Sequence, residues 1–195
     1  MNSVWHHGKI TKTERHALNG HGSALVWITG LPASGKSTIA HELEYQLINN
    51  GIRAFVLDGD NIRHGLNKDL GFSASDRREN LRRVGEVARL FVESGIVAIA
   101  AFASPYKADR QMVRELFNEG EFIEVHLNCD LCVCESRDPK GHYKKARAGE
   151  IKNFTGVSDP YEPPDNPEIT LDTEKISADE SVERIISYLK EKRII

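Results

Sequence analysis

Residues Gly30 to Ser37 spell G-x-x-x-x-G-K-S, a spacing typical of loops that bind nucleotide phosphates. The glycines permit backbone angles at which the loop N–H groups turn inward and form an anion site. Lys36 would reach the β- and γ-phosphates, and the Ser37 hydroxyl would bind Mg²⁺. A glycine-rich turn without a ligand is the alternative. The apolar run before the loop and the helical pattern after it favour the phosphate site, which we predict to comprise Gly30, Leu31, Pro32, Ala33, Ser34, Gly35, Lys36, Ser37 and Thr38.

Two carboxylates, Asp58 and Asp60, flank a glycine in the segment LDGDNIRHGL, at the end of a second apolar run. A kinase needs a carboxylate that orients and deprotonates an acceptor hydroxyl, and it needs acidic groups near Mg²⁺. We predict that Asp60 is catalytic, together with Lys36 and Ser104, and that Asp58 lies at the metal with Ser37. The simpler interpretation is that Asp60 caps a helix, which would not exclude a chemical role.

Four arginines crowd the segment SASDRRENLRR, which has the pattern of a helix start. At helical spacing Arg77 and Asn80 lie on one face. The planar guanidinium suits an anionic group because it forms paired hydrogen bonds. A solvated charged face is the other interpretation, and it is the better one for Arg78, Arg82 and Arg83.

Ser104 precedes a proline at the end of a third apolar run, in the segment FASPYKADR. It could be a nucleophile, a group that binds the acceptor, or a helix cap. No histidine base stands beside it in the sequence, which argues against a covalent role.

The stretch 137–156 carries six basic residues and no strand pattern. A basic segment of this kind could close as a lid over phosphates, exclude water and supply positive charge. It could equally be a basic surface loop, and composition leaves both interpretations open. The basic residues are Arg137, Lys140, Lys144, Lys145, Arg147 and Lys152.

The elements that must position these residues alternate along the chain. Short apolar runs predict strands at 24–29, 53–58, 96–102, 122–128 and 168–173. Helical spacing predicts helices from Thr38 to Gly51, over 75–94, over 107–117 and after Ser177, where S-x-x-E is the pattern of a capping box. This alternation predicts a parallel sheet with helices on both faces, and ligands at the carboxyl ends of its strands.

Composition narrows the function classes further. A chain of 195 residues with 39% hydrophobic and 28% charged residues is typical of one globular domain. A net charge of −3 gives no reason to expect a nucleic-acid partner. The longest apolar run, 96–103, is too short to span a membrane, and the N-terminus has no apolar signal core, so we expect no membrane association.

The three cysteines are clustered at Cys129, Cys132 and Cys134, which is not the pattern of a secreted disulfide framework. We interpret them as small buried residues, with Cys132 inside a helix, and we expect a cytoplasmic protein. A metal or redox site at C-x-x-C is the alternative, although no second ligand pair follows.

Taken together, these segments resemble the adenylylsulfate kinases, which phosphorylate the 3′-hydroxyl of adenosine 5′-phosphosulfate. The resemblance covers nearly the whole chain and rests on NSVWH, GLPASGKST, LDGDNIRHGLNKDLGFSASDRREN, FASPYKADR, CESRDPKGHYKKARAGEIKNFTG and YEPP. It implies an α/β, three-layer P-loop fold of the nucleoside-triphosphate hydrolase and kinase class, with a five-stranded, mainly parallel sheet and a mobile lid. The expected organisation is one domain, 1–195, with an N-terminal extension at 1–23 and the lid at 137–160.

The resemblance also implies an activity and its partners. We expect ATP and Mg²⁺ as cofactors, adenylylsulfate as substrate, a role in sulfate assimilation and a homodimer. Nucleotide contacts would extend to Arg137 and Arg147. The resemblance places adenylylsulfate contacts at Asp58, Asp60, Arg63, Phe72, Arg77, Asn80, Ser104, Lys144, Asn153 and Phe154. Phe72 and Phe154 would sandwich the adenine, while Arg63 and Arg77 would hold the phosphosulfate.

Family descriptions often mark the serine that matches Ser104 as a phosphoserine intermediate, whereas we expect direct in-line transfer. Small departures from the family pattern leave its functional groups in place. Pro32 and Ala33 stand where serine and glycine are frequent, Ala103 where isoleucine is frequent, and His142 where leucine is common.

Other functions remain open on the residues alone. A related kinase for a nucleoside, shikimate or a sugar acid would share the loop and the topology, although the long matching blocks argue against it. A GTP-binding switch protein is disfavoured, because NKDL at 67–70 lacks the aspartate that reads guanine and DPKG at 138–141 matches D-x-x-G by accident. A catalytically dead binding domain is disfavoured because Lys36, Ser37 and Asp60 are present.

Overall fold

The computed structural model describes residues 4, 6 and 8–195, so Asn2, Ser3 and Trp5 of the NSVWH block lie outside the described residues. Five strands form one sheet in the order β2-β3-β1-β4-β5, and all four strand pairings are parallel. The strands are β1 (Leu25–Gly30), β2 (Ala54–Asp58), β3 (Val97–Ala101), β4 (Phe122–Asn128) and β5 (Ile169–Asp172). The five predicted strands are therefore confirmed, as is the α/β fold with its parallel sheet.

Eight helices accompany the sheet in the described part of the chain. They are α1 (Lys12–Asn19), α2 (Lys36–Asn49), α3 (Gly59–Arg63), α4 (Ala74–Glu93), α5 (Lys107–Arg114), α6 (Leu131–Arg137), α7 (His142–Arg147) and α8 (Ala178–Glu191). The predicted helices are α2, α4, α5, α6 and α8. Helix α3 corresponds to the helix considered at Asp60. Helices α1 and α7 were not predicted, although the T-x-x-E pattern at Thr11 and Glu14 forms the capping box that opens α1.

Helices cover both faces of the sheet, and this explains why its central strand reads as a continuous apolar run. Every residue of β1 is buried. On one face α2 and α8 pack through Ile39, Leu43, Leu47, Val182, Ile185 and Leu189. On the other face α4 and α5 pack through Leu81, Val84, Ala88, Val92 and Val113. The helical spacing of these apolar residues is what turns them toward the sheet.

Two expectations need correction. Asp58, and not Asp60, is the N-cap of α3, because the Asp58 carboxylate accepts the N–H of Asp60. Cys132 is exposed on α6, whereas Cys129 and Cys134 are buried as expected. Among the described residues, no helix combines the length and apolar character that crossing a membrane requires.

Parallel pairing places the carboxyl ends of the strands at one edge of the sheet. There β1 runs into the 30–37 loop, β2 ends at Asp58, and β3 leads through Phe102 to Ser104. Residues that are far apart in the sequence therefore meet at this edge.

Candidate active site

The 30–37 loop connects β1 to α2 and is shaped by close approaches of the backbone. A Cβ at Gly30 would lie 2.9 Å from the carbonyl oxygen of Leu127 on β4, so only glycine fits there. Gly35, at φ 102°, lies immediately before α2, whose N-terminal end faces the loop. Ala33 adopts a left-handed φ of 61°, a backbone conformation that glycine adopts more readily than residues with a Cβ.

Lys36 lies folded over this loop. Its Nζ donates hydrogen bonds to the carbonyl oxygens of Gly30, at 2.9 Å, and Leu31, at 2.6 Å. Burial lowers the pKa of Lys36 to about 8, because the ammonium loses water in this position. The ammonium is thus held at the phosphate loop by carbonyl groups that a phosphate oxygen could replace as its partners.

The side chains of Ser37 and Asp58 place two oxygen atoms that could bind a metal ion side by side next to the loop. The Ser37 hydroxyl donates a 2.7 Å hydrogen bond to Asp58 Oδ2, and Asp58 is 6% exposed. No group of three or more histidine, cysteine or acidic residues suited to a metal occurs among the residues that the structure describes. One carboxylate and one hydroxyl fit Mg²⁺, which keeps several waters and binds substrate phosphates rather than an all-protein cage.

Asp60 lies two residues after Asp58, in the first turn of α3, and its side chain is mostly exposed and lines the cavity. Lys140, from the loop between α6 and α7, donates a hydrogen bond to Asp60 Oδ2. This hydrogen bond raises the pKa of Lys140 above its usual value. The pair places one basic residue of the 137–160 segment directly on the predicted catalytic carboxylate.

Arg63 and Phe72 line the cavity and are stacked on each other. The Arg63 guanidinium lies 4.3 Å from the centre of the Phe72 ring, and it also donates to the carbonyl oxygens of Leu70 and Gly71. Burial lowers the pKa of Arg63. Phe72 is 65% exposed, so its ring is available to a planar ligand.

Arg77 connects α4 to the 137–160 segment. Its guanidinium donates to the Asn153 carbonyl oxygen and, at 3.2 Å, to the Thr155 hydroxyl. It also forms an ion pair of 3.3 Å with Asp159. Arg77 therefore holds the segment against α4 in this structure.

Asn80 lies one turn further along α4 and is 4% exposed. Its side-chain oxygen accepts a 3.0 Å hydrogen bond from Asn67, which is fully buried. This contact joins α4 to the loop that follows α3.

Ser104 is 3% exposed, and its hydroxyl is fully engaged with neighbouring groups. The Trp27 indole N–H donates to Ser104 Oγ at 3.1 Å. The Ser104 hydroxyl in turn faces Thr29 Oγ1 at 2.9 Å and the Phe102 carbonyl oxygen at 3.3 Å. None of these three partners is a base that could activate a nucleophile.

The 137–160 segment packs on the phosphate loop instead of standing free. Tyr143 of α7 is fully buried and donates a 3.0 Å hydrogen bond to the carbonyl oxygen of Pro32. Phe154 meets the Tyr143 ring edge-on, with ring centres 5.0 Å apart. Burial raises the pKa of Tyr143. An unbroken series of contacts thus runs from Phe154 through Tyr143 to the loop.

All these elements surround one cavity of about 720 Å³. Its size is that of a site for small-molecule ligands, and its walls include the phosphate loop, Phe72 and Phe154. Charged groups of both signs converge on it.

The comparisons with known proteins agree with this geometry. A family model described as adenylylsulphate kinase matches residues 22–172. The chain belongs to the adenylylsulphate kinase family.

Members of this family resemble the chain over most or all of its length. The adenylyl-sulfate kinase of Staphylococcus haemolyticus is 57% identical over 194 residues, which is 100% of this chain and 98% of the relative. A Mycobacterium tuberculosis APS kinase solved with AMPPNP and APS has a TM-score of 0.83 and 46% identity, and the match covers 87% of this chain and 98% of that one. A hexameric APS kinase from Thiobacillus denitrificans has a TM-score of 0.69 and 30% identity, covering 94% of this chain and 32% of that one.

Most of the residues predicted for an adenylylsulfate kinase site line the cavity. These are Pro32, Ala33, Gly35, Lys36, Ser37, Thr38, Asp58, Asp60, Arg63, Phe72, Arg77, Asn80, Ser104, Arg137 and Phe154. Gly30, Leu31 and Ser34 belong to the loop but do not line the cavity. The roles of all these residues remain predictions.

Three other predicted residues lie outside the cavity wall. Lys144 is exposed, and Arg147 is exposed and forms a bidentate ion pair with Glu135. Asn153 is exposed and contributes its carbonyl oxygen, which binds Arg77.

The prediction of site residues omitted Lys140, Tyr143 and Thr155, all of which line the cavity. Lys140 is named above among the basic residues of the segment. Nothing in the sequence distinguishes Lys140 from the others as the one that contacts Asp60. The sequence signal for packing was the aromatic Tyr143 within a basic segment. A large aromatic side chain there indicates that the segment packs against another part of the protein.

Proposed function

We propose that this chain transfers the γ-phosphate of ATP to the 3′-hydroxyl of adenosine 5′-phosphosulfate, giving 3′-phosphoadenylylsulfate and ADP. The observation that carries the proposal is one cavity whose lining includes the phosphate loop, the Asp60 carboxylate, Arg63 and Arg77, and the rings of Phe72 and Phe154. The relatives named above act, by their names, on the same substrate. Direct transfer needs both nucleotides in one space, and the presence of the loop and of the proposed acceptor residues around a single cavity supports this proposal.

At the donor end, the loop N–H groups and Lys36 bind the β- and γ-phosphates and offset the charge that the transferring group carries. We propose Mg²⁺ at Ser37 and Asp58, where it would neutralise phosphate charge and align the γ-phosphate. Arg137 lies at the cavity wall near the loop, which supports a nucleotide contact.

At the acceptor end, Asp60 accepts the proton of the attacking 3′-hydroxyl. Lys140 orients this carboxylate and adds positive charge near the transferring phosphate. The position of Lys140 supports it, rather than Lys144, as the lysine of the 137–160 segment that acts in the reaction.

Phe72 and Phe154 bind the adenine of the acceptor between their faces, and Arg63 and Arg77 bind its phosphosulfate. In this structure Arg63 covers Phe72 and Arg77 binds the 137–160 segment. We propose that the acceptor displaces both arginines from these partners, which couples acceptor binding to movement of the segment as a lid.

Two broader proposals concern the whole chain. Three free cysteines are compatible with a reducing compartment, and ATP is a cytoplasmic donor, so we propose a cytoplasmic enzyme. We also propose a homodimer, because large apolar side chains are exposed along the β2 edge.

The proposed reaction is tested by measuring ADP release with a panel of acceptors at equal concentration. We expect turnover with adenylylsulfate and far less with 5′-AMP or shikimate, together with a product whose mass is that of 3′-phosphoadenylylsulfate. Lys36→Ala should abolish turnover while the circular dichroism spectrum is retained. Equal rates with 5′-AMP or shikimate would show that the substrate assignment is wrong.

A further inference from the structure

Arg110, on α5, is a buried arginine that does not line the cavity and yet contacts its wall. Its side chain is 3% exposed. Its Nε donates a 2.7 Å hydrogen bond to Glu124 on β4. Its two terminal nitrogens donate to backbone carbonyl oxygens, of Ser104 at 2.6 Å and of Glu162 at 2.7 Å. A single guanidinium therefore joins the sheet, the loop after β3 and the segment after 160.

The loop after β3 needs such support, because Ser104 has a left-handed φ of 38°. A residue with a Cβ adopts this region only when its surroundings hold it there. The carbonyl oxygen of Ser104 points at Arg110, and its hydroxyl points at Trp27 and Thr29. The guanidinium thus fixes one side of Ser104 while the indole and the threonine fix the other.

The contact with Glu162 extends this support to the chain that follows the 137–160 segment. The N–H of Glu162 donates to the Pro105 carbonyl oxygen at 2.8 Å, and its carboxylate accepts the N–H of Lys107 at 2.8 Å. The hydroxyl of Tyr161 lies 3.2 Å from Thr29 Oγ1. Residues 161 and 162 therefore close over the Ser104 loop from outside, with Arg110 between them and the sheet.

We propose that Arg110 is a positioning residue of the acceptor site, which holds the Ser104 loop in its left-handed conformation and ties it to the chain that follows the lid. This inference rests on the proposed function, since Ser104 is the wall on which adenylylsulfate would bind. Only arginine can make all three contacts at once, because its planar fork presents donors in three directions, whereas a lysine ammonium is a single point charge.

Arg114 provides a matched control in the same network. It lies one helical turn along α5 and donates to Glu124 at 3.3 Å and to Glu168 at 2.6 and 2.9 Å. Neither of these partners is Ser104 or Glu162. Loss of the Arg114 fork weakens the same acidic cluster without touching the loop after β3.

The first experiment compares the kinetics of Arg110→Lys and Arg114→Lys. Arg110→Lys should raise the KM for adenylylsulfate by about tenfold, the effect of losing a charged hydrogen bond at a binding wall, with the KM for ATP nearly unchanged. Arg114→Lys should leave both KM values near those of the wild type, even if its melting temperature falls as much as that of Arg110→Lys. Equal KM values for adenylylsulfate in the two variants would overturn the inference.

The second experiment needs no turnover. The chain has two tryptophans, so Trp5→Phe leaves Trp27 as the only source of an indole N–H signal in a ¹⁵N spectrum. Because this N–H donates to Ser104, its resonance should move in Arg110→Lys and stay in place in Arg114→Lys. An unmoved resonance in Arg110→Lys would contradict the proposed role.

A third variant covers the case in which Arg110→Lys does not fold. The double substitution Arg110→Met with Glu124→Gln removes both charges of the buried pair, so that no lone charge is left in the interior. It should fold, shift the Trp27 resonance and raise the KM for adenylylsulfate. A wild-type KM and resonance in this variant would refute the inference.

A wild-type protein that folds but does not phosphorylate adenylylsulfate would refute the proposed function alone. The Trp27 resonance would still test the position of Ser104.

Discussion

At the scale of single residues, the surroundings of Ser104 favour one of two reaction schemes, direct transfer over a phosphoserine intermediate. A phosphoserine intermediate would need a solvent-facing hydroxyl and a base to take its proton. Ser104 is buried and its hydroxyl is bound to Trp27, Thr29 and the Phe102 carbonyl oxygen. Asp60, in contrast, faces the cavity where an acceptor hydroxyl would lie.

We therefore predict that Ser104→Ala raises the KM for adenylylsulfate and that Asp60→Asn lowers kcat by about 10²–10⁴, the effect of losing an acid–base group. Steady-state kinetics check both effects. Intact mass measurement after incubation with ATP alone should find no phosphate on the protein. A stoichiometric phosphoserine that passes into product at the turnover rate would make Ser104 the nucleophile.

Lys36 gives a prediction that depends on pH. Burial lowers its pKa to about 8 in the free protein, so Lys36 loses its proton as the pH rises through 8. ATP phosphates favour the charged ammonium and raise this pKa again, which means that ATP binding above about pH 8 takes up a proton. At pH 7 the ammonium is already charged and little uptake occurs.

Calorimetric titration with ATP in buffers of different ionisation enthalpy measures this uptake. We expect ATP affinity to fall as the pH rises above about 8, and we expect proton uptake to disappear in Lys36→Met. If proton uptake on ATP binding persists in Lys36→Met, the proton is bound by a group other than Lys36.

At the scale of elements, the structure of the 137–160 segment distinguishes two lysines that the sequence leaves equivalent. Lys140 binds Asp60, while Lys144, four residues later, is exposed on α7. We predict that Lys140→Met lowers kcat/KM by about 10–100-fold, the effect of losing a charged contact of about 1.5–3 kcal/mol. Lys144→Met is the matched control and should change kcat/KM little. A larger loss in Lys144→Met than in Lys140→Met would reverse the assignment.

The strands were predictable because parallel strands buried on both faces read as short apolar runs. Helices α2 and α4 were predictable because their buried residues recur at helical spacing. Helix α1 has no buried residue, so its sequence shows no apolar stripe at helical spacing. The capping residues Thr11 and Glu14 are the signal that indicates this helix. Helix α7 is largely basic, and its one buried aromatic, Tyr143, was too little to define a pattern.

The site was predictable to the extent that its residues follow strand ends. Asp58 and Ser104 do so, and the parallel sheet brings them together. The burial of Ser104 was not predictable, because its partners Trp27 and Thr29 lie 77 and 75 residues away in the chain. Arg110 was equally hidden, since an arginine on a helix normally faces solvent.

At the scale of the whole molecule, the sheet interleaves distant parts of the chain. The central strand β1 pairs with β3 on one side and β4 on the other, and the core cluster on one face joins α2 with α8, which are far apart in the sequence. The segment 137–160 adds a third cluster around Cys134 and Tyr143, against Leu31 of the phosphate loop. This interleaving supports the proposal that residues 1–195 form one domain.

One edge of the molecule nevertheless carries apolar surface that residues 4, 6 and 8–195 leave uncovered. The edge strand β2 presents Phe55, which is 49% exposed and stacks on Phe91 of α4. On the same helix Leu90 is 64% exposed, and on α1, which contacts the end of α4, Leu18 is 82% exposed. Burial of such side chains in a second copy is favourable, by about 25 cal/mol for each Å² of apolar surface.

We predict that the protein sediments with twice the mass of one chain, and that Leu90→Glu converts it to a monomer, because a carboxylate at this face is expensive to bury. Analytical ultracentrifugation at a series of concentrations measures both. Tyr45→Glu is the control, since Tyr45 is 63% exposed on α2, which packs on the opposite face of the sheet. It should leave the dimer intact. A monomeric wild type would refute the dimer itself, whereas a dimer that survives Leu90→Glu and dissociates in Tyr45→Glu would move the interface to the α2 face.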